Sequence, residues 1–328
     1  CIMPNFNGVW SLTTQLQYVA DWPVAPLSDI ALFGGGNNSS FVNTIEFVKF
    51  SSAGNGVDFG DLLAAQEGAT CASSTTRAIW GGGEADGASN PQNVIQFVNF
   101  SSAGNTTDFG DLTANNKSSY TGSAGSATRS LFMGGITNSS AVIDVIQFIN
   151  PTSAGDASDF GNLTVAKGTS GKLSSPTRAV TGGGSPSGTR TRTMDYVTIA
   201  SAGNASDFGD LLAGGNGTEG TAGGGSSTRG IFAGGSTGSV INVIQYITIA
   251  STGNTSDFGD LTEYRVQPCG ASNSTKMVAA GGFNDSNAIT NTIDSFTIAS
   301  TGDASDFGDL TSVRMTFDGC SDGHGGVQ

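Results

Sequence analysis

Asp58-Phe59-Gly60-Asp61-Leu62 decides the fold, because the same phrase returns around Phe109, Phe160, Phe208, Phe258 and Phe307. Successive phenylalanines are 48 to 51 residues apart. A period of that length marks stacked or closed supersecondary units. The second copy shows what one unit contains. Gly68 to Ser74 reads as a short strand of small residues, and Thr76 to Trp80 as an apolar strand ending in Gly81-Gly82-Gly83. A polar loop, Glu84 to Gln92, precedes Val94-Ile95-Gln96-Phe97-Val98-Asn99-Phe100, the strongest strand signal of the unit. Ser102-Ala103-Gly104-Asn105 then turns the chain into Asp108 to Leu112. Four short strands per unit is the content of one blade of a β-propeller.

The third strand carries large apolar groups on both faces, Ile95 and Phe97 on one, Val98 and Phe100 on the other. A strand covered on both sides reads this way, and each blade of a propeller lies between two others. Gly is frequent, at 50 residues, but it recurs at fixed places such as Gly34-Gly35-Gly36, Gly182-Gly183-Gly184 and Gly281-Gly282. It therefore marks turns and close packing rather than disorder. A phosphate-binding loop would need such glycines ahead of a helix and a lysine, and here they end strands.

The two ends of the array complement each other. The first unit opens at Ile30-Ala31-Leu32-Phe33-Gly34 without its small-residue strand. After the last D-F-G-D-L the chain adds Met315 to Gly323, which contains such a strand. The expectation is an all-β, six-bladed propeller over residues 30–328, its first blade completed by the carboxy-terminal strand so that no edge stays open. An open stack is the alternative. This registration puts Cys71, Cys269 and Cys320 on the small-residue strands of consecutive blades, either as small apolar residues or as a disulfide between neighbours.

The units resemble the kelch repeat of β-propellers. The likeness lies in the small-residue strand, a basic residue (Arg77, Arg129, Arg178, Arg229, Lys276), an apolar strand ending in Gly-Gly, and aromatics on the third and fourth strands. Phe47, Phe97, Phe148, Tyr196 and Tyr246 fill the third-strand place, and Ser295 departs from it. Phe59, Phe109, Phe160, Phe208, Phe258 and Phe307 stand where kelch repeats carry tryptophan. The resemblance implies the fold and leaves the function open.

Chemistry is sparse. The net charge of −14 disfavours nucleic acid and anionic membranes as partners. No run of about 18 apolar residues exists, so no membrane-inserted helix is expected. No C-x-x-C pair occurs and the one histidine is His324, which gives zinc no support. A Ser-His-Asp triad would have to use that histidine in a Gly-rich tail, so no enzyme activity and no cofactor are expected. Six copies exclude the kinase meaning of D-F-G. Paired acids such as Asp207/Asp210 and Asp257/Asp260, with Asn204 and Asn254 nearby, are weak candidates for calcium, although Asp and Asn also cap turns. The positions that do not repeat are the loops between second and third strands. Glu84, Asp86, Arg190, Arg192, Asn284 and Asp285 are the binding candidates there, Arg190 and Arg192 being the only clustered positive charges.

Residues 1–29 fall outside the repeat. A short helix is expected from Ser11, with Leu12, Leu16 and Val19 on one face, stopped at Trp22-Pro23. Such a segment serves for attachment to a larger assembly or as a lid under the domain. Gly8-Val9-Trp10-Ser11-Leu12, Gln15, Tyr18 and Trp22-Pro23 look like the segment that precedes repeat domains in virion proteins of tailed phages, aquatic ones in particular. The phrase S-x-G-N-x-x-D-F-G-D-L is similar to repeats in such proteins. The resemblance implies a non-enzymatic tail or capsid fibre or decoration protein on the particle surface. Other virion proteins would be held through residues 1–29, and a host surface glycan or protein through the propeller. The alternatives are a secreted or lipid-anchored bacterial surface adhesin, in which Cys1 would carry the lipid, and a carbohydrate-binding lectin.

Overall fold

The computed structural model describes residues 29–85, 91–117, 124–212, 215 and 217–327. The expected amino-terminal helix, Cys1 and the binding candidate Asp86 lie outside them. The described chain is a six-bladed β-propeller of antiparallel sheets. In blade 2 the strands run from the axis outward as Thr70–Ser73, Arg77–Gly81, Val94–Asn99 and Thr107–Asp111. Blades 4, 5 and 6 repeat this order over 171–210, 222–260 and 269–309. Blade 3 has three strands over 130–162, with Gly125 bridged to Ser130 at the inner position. Blade 1 closes the ring. Asp318–Ser321 is its inner strand, paired with Ala31 to Gly34 and followed outward by Thr44–Lys49 and Val57–Asp61.

Small residues on the inner strands have a specific use. The free edge of each strand would face the axis with unpaired backbone groups. Ser73 Oγ donates to Ser321 O at 2.8 Å, Ser321 Oγ to Ser272 O, and Ser272 Oγ to Gly225 O at 2.9 Å. A belt of hydroxyl groups thus ties inner strand to inner strand around the axis. Cys71, Cys269 and Cys320 on these strands are buried free thiols. Burial, then a hydrogen bond with Cys320, pushes the Cys71 thiol well above the usual thiol range. Burial likewise raises the Cys269 thiol, and without thiolate these two sulfurs are poor nucleophiles.

The D-F-G-D-L phrase is a bulged strand in all six blades. Ile45 pairs with Gly60 and Glu46 with Asp58, so Phe59 is the extra residue. The same shift recurs at each copy. A bulge re-aims one side chain, and here the ring turns inward. Phe59 is 2% exposed and meets Phe47 edge-on at 6.0 Å between centroids. Equivalent pairs form at Phe97–Phe109, Phe148–Phe160, Tyr196–Phe208 and Tyr246–Phe258.

The outer edge of each blade is covered by the turn of the next. Gly104 N–H donates to Phe59 O at 2.7 Å, Thr106 N–H to Asp61 O at 2.8 Å, and Asp61 N–H to Asn105 Oδ1 at 3.0 Å. The set recurs at every junction and closes from blade 6 to blade 1 through Gly54, Gly56 and Asn55. This removes the open edge that an outermost strand would otherwise present. It also explains the glycine in D-F-G. Gly60 has φ of 151°, and a Cβ there would lie 2.2 Å from Gly104 O. A second link uses the basic residue of the second strand. Arg77 lies over Phe97, 4.6 Å from its centroid, and donates to Pro151 O of blade 3 at 3.1 Å. Arg129, Arg178, Arg229 and Lys276 reach the next blade in the same way.

A third link is buried. The third-strand residues Glu46, Gln96, Gln147, Asp195, Gln245 and Asp294 are all shielded from solvent. Where this residue is an acid, the connector from the preceding blade supplies a cation. The pairs are Arg314–Glu46, Lys167–Asp195 at 2.9 Å and Arg265–Asp294.

The blade has two ends of different character. Turns joining first to second and third to fourth strands gather at one, here the hairpin end. Loops joining second to third strands, and connectors between blades, gather at the other, the loop end. Asp29 lies at the hairpin end, its carbonyl accepting from Phe50 N–H at 3.0 Å. The tail 322–327 lies there too, with Asp322 held by the backbone N–H groups of Asp29 and Ile30. His324 is 5% exposed. Its Nε2–H donates to Ser73 O at 3.2 Å and its Nδ1 accepts from Gly326 N–H at 3.1 Å.

Burial lowers the pKa of His324 to about 4, against about 6.5 for a free histidine. Between those values the unfolded chain binds more protons than the folded one, so stability falls as pH drops. The full benefit is present above about pH 6.5 and is lost by pH 4, a change of about 3 kcal/mol. Denaturant melts at pH 7 and pH 4.5 should show a smaller acid loss for His324→Gln than for the natural chain. Equal losses would remove the histidine from the account.

Candidate functional site

The loop end carries the segments that differ between repeats. Each connector runs beside the following blade's loop. Gln66–Glu67 pairs with Glu84–Ala85, and Arg265–Val266 with Phe283–Asn284. The loops are therefore short and held, which suits a rigid recognition surface.

The charged candidates are largely spoken for. Glu84 is 4% exposed, sits in the paired segment and forms an ion pair with Lys117. Arg190 pairs with Glu219 at 2.9 Å and Arg192 with Asp210 at 3.2 Å. The clustered positive charge read from the sequence is thus neutralised within the molecule. Asn284 Oδ1 accepts from Ser286 N–H and Ala288 N–H, both at 3.0 Å, which fixes the blade 6 loop. Asp285 is exposed on that loop.

The asparagines beside the calcium candidates serve the blade junctions. Asn254 Oδ1 accepts the N–H of Asp210, and Asn204 Oδ1 that of Asn162. The carboxyl of Asp260 is raised by desolvation, then by the charges of Asp303 and Asp257. Among the described residues no three of His, Cys, Asp and Glu converge on a point that would hold a metal. Melting in chelator should match melting without it, and a calcium-dependent rise in Tm would show otherwise.

What stands out at the loop end is apolar. Leu63, Val165, Leu212, Tyr264 and Val313 are 53%, 41%, 57%, 49% and 41% exposed, and all lie on connectors. The other large apolar side chain exposed among the described residues, Val57, is on an outer strand. The sequence reading does not include these positions, yet for Leu63 and Leu212 the repeat contains a signal. Other units place threonine after the final Leu of D-F-G-D-L. Thr113 Oγ1 donates to the buried Gln147 at 2.8 Å, and Thr262 Oγ1 to the buried Asp294 at 2.6 Å. Where Leu63 and Leu212 replace it, the hydroxyl comes from the next blade's turn. Thr106 donates to Gln96 at 2.7 Å and Thr255 to Gln245 at 2.6 Å. The buried acceptor is satisfied either way, and the surface position is released from that duty.

No protein-family model matches this chain, and no curated protein matches it.

Proposed function

We propose that this chain is a non-enzymatic virion structural protein, a tail or capsid fibre or decoration, whose propeller offers its loop end to a host surface. The observation that carries the reading is the polarity of the molecule. Residues 1–28 join the propeller through Asp29 at the hairpin end, whereas the non-repeating loops lie at the opposite end. A segment tethering one end to a particle leaves the other free. The likeness of residues 8–23 and of the S-x-G-N-x-x-D-F-G-D-L phrase to tailed-phage virion proteins supports the same reading. So does the kelch-like order of small strand, basic residue, Gly-Gly strand and paired aromatics, a scaffold on which loops vary freely.

Antibody against residues 29–328 should label intact particles in a purified phage preparation. The isolated propeller should adsorb to envelopes of the host and compete with those particles for them. Finding the chain in bacterial membranes and not in particles would favour a cell-surface adhesin instead.

A further inference from the structure

Tyr264 is the one aromatic among the strongly exposed apolar side chains of the described surface, at 49%. It lies on the connector between blades 5 and 6, beside a loop pinned by Asn284. Arg265 pairs with Asn284 and Val266 with Phe283, which brings the connector that bears Tyr264 beside the loop that bears Asp285. Glu263 is held next to it, with Oε1 accepting from Thr290 Oγ1 at 3.1 Å and lying 3.9 Å from Arg265 Nε. The buried Arg265 below is anchored to Asp294. An exposed ring on a pinned backbone, with one carboxylate on its own connector and another on the loop beside it, is ready to bind without further ordering.

The surrounding charges narrow the ligand. Of the 13 Lys and Arg, all but Lys49, Lys117, Arg190 and Arg192 serve inside the blade junctions or near the axis. Lys117, Arg190 and Arg192, the three at the loop end, are ion-paired. An anionic ligand would meet Asp285 and Glu263 with no cation free to receive it. A protein interface would want a contiguous apolar centre. The exposed apolar residues here instead stand on separate connectors, with polar loops such as 185–192 between them. A sugar ring fits this arrangement, having a face of C–H groups for the tyrosine and hydroxyl donors for the carboxylates.

We propose that Tyr264, with Asp285 and Glu263, forms a binding site for a neutral sugar unit of a surface polysaccharide. The proposal deepens the attachment reading above and rests on it for the source of the sugar. The purified chain is tested on an array of neutral, sialylated and phosphorylated glycans, alongside Tyr264→Ala and Asp285→Asn. Neutral glycans are expected to bind, with about tenfold loss in Tyr264→Ala, a smaller loss in Asp285→Asn and unchanged melting curves. Binding confined to charged glycans, binding indifferent to Tyr264→Ala, or no glycan bound would overturn the site. Host envelopes treated with periodate, which cleaves sugar diols, or with protease separate the two claims. Adsorption that survives periodate and is lost to protease overturns the sugar and leaves attachment standing. Neutral-glycan binding through Tyr264 by a chain absent from virions upholds the site and removes the virion reading.

Discussion

A chain lacking residues 315–328 should show no cooperative melting transition. The deletion removes the whole inner strand of blade 1. Ala31 to Gly34 then become a bare edge, and the ring has a gap between blades 6 and 2. The lost segment also holds its neighbours. Trp80 Nε1 of blade 2 donates to Asp318 O at 3.2 Å, and Cys71 N–H donates to the Asp318 carboxylate at 2.8 Å. Ser321 continues the hydroxyl belt on both sides, accepting from Ser73 and donating to Ser272. Phe317 packs edge-on against Phe33 at 6.1 Å. Trp80 and Phe33 are fully buried, so their partners cannot be replaced by water without opening the core. A stable domain has only about 5–15 kcal/mol in hand, and one unsatisfied buried polar group costs about 1–3 kcal/mol. Losing a strand, an indole partner and a core phenylalanine together exceeds that margin. Circular dichroism melts would check it. Removing only 325–328, which leaves the strand and His324, should preserve a sharp transition at lower temperature. A sharp transition for the longer deletion within a few degrees of the natural chain would mean that the ring closes without its clasp.

The clasp was legible in the sequence because it depends on local pattern. A unit that lacks a strand at one end and owns one at the other can be read without coordinates. Blade number and strand order follow from the period of D-F-G-D-L for the same reason. Contacts across junctions were not legible. Asn105 reads as a turn residue, and its oxygen also accepts the N–H of Asp61, 44 residues earlier in the chain. Nothing near Asn105 in sequence names that partner. The outer strand read as regular because a bulge changes the count of paired residues, not their kinds. At the loop end the sequence shows polar and charged residues, but Arg190 and Arg192 are met by Glu219 and Asp210 from segments the sequence does not place beside them. Tyr264 carries no such signal in the sequence, since an aromatic in a strand-rich chain is usually core. With Arg265 buried beneath it, the connector turns its tyrosine outward.

One buried position of the third strand is charged in three of the six units and neutral in the other three. Third-strand acids occur at Glu46, Asp195 and Asp294, and the connectors before them supply Arg314, Lys167 and Arg265. Glutamines occur at Gln96, Gln147 and Gln245, and the matching connector residues are the neutral Gln66, Asn116 and Thr218. Charge is matched junction by junction within one chain. At Lys167–Asp195 both side chains are fully shielded from solvent, and burial lowers the lysine pKa despite the attraction of Asp195. Asp195→Gln alone would strand that ammonium, a loss of about 3–5 kcal/mol, or on the order of 10 °C in Tm. Lys167→Asn alone would strand the carboxylate at similar cost. The double variant reproduces the Asn116 and Gln147 junction already present between blades 2 and 3, and should recover to within about 1–2 kcal/mol of the natural chain. Denaturant melts of the four proteins give the coupling directly. A double variant as unstable as the sum of its singles would show that these positions do not act as a pair, and that the matching across repeats has another origin.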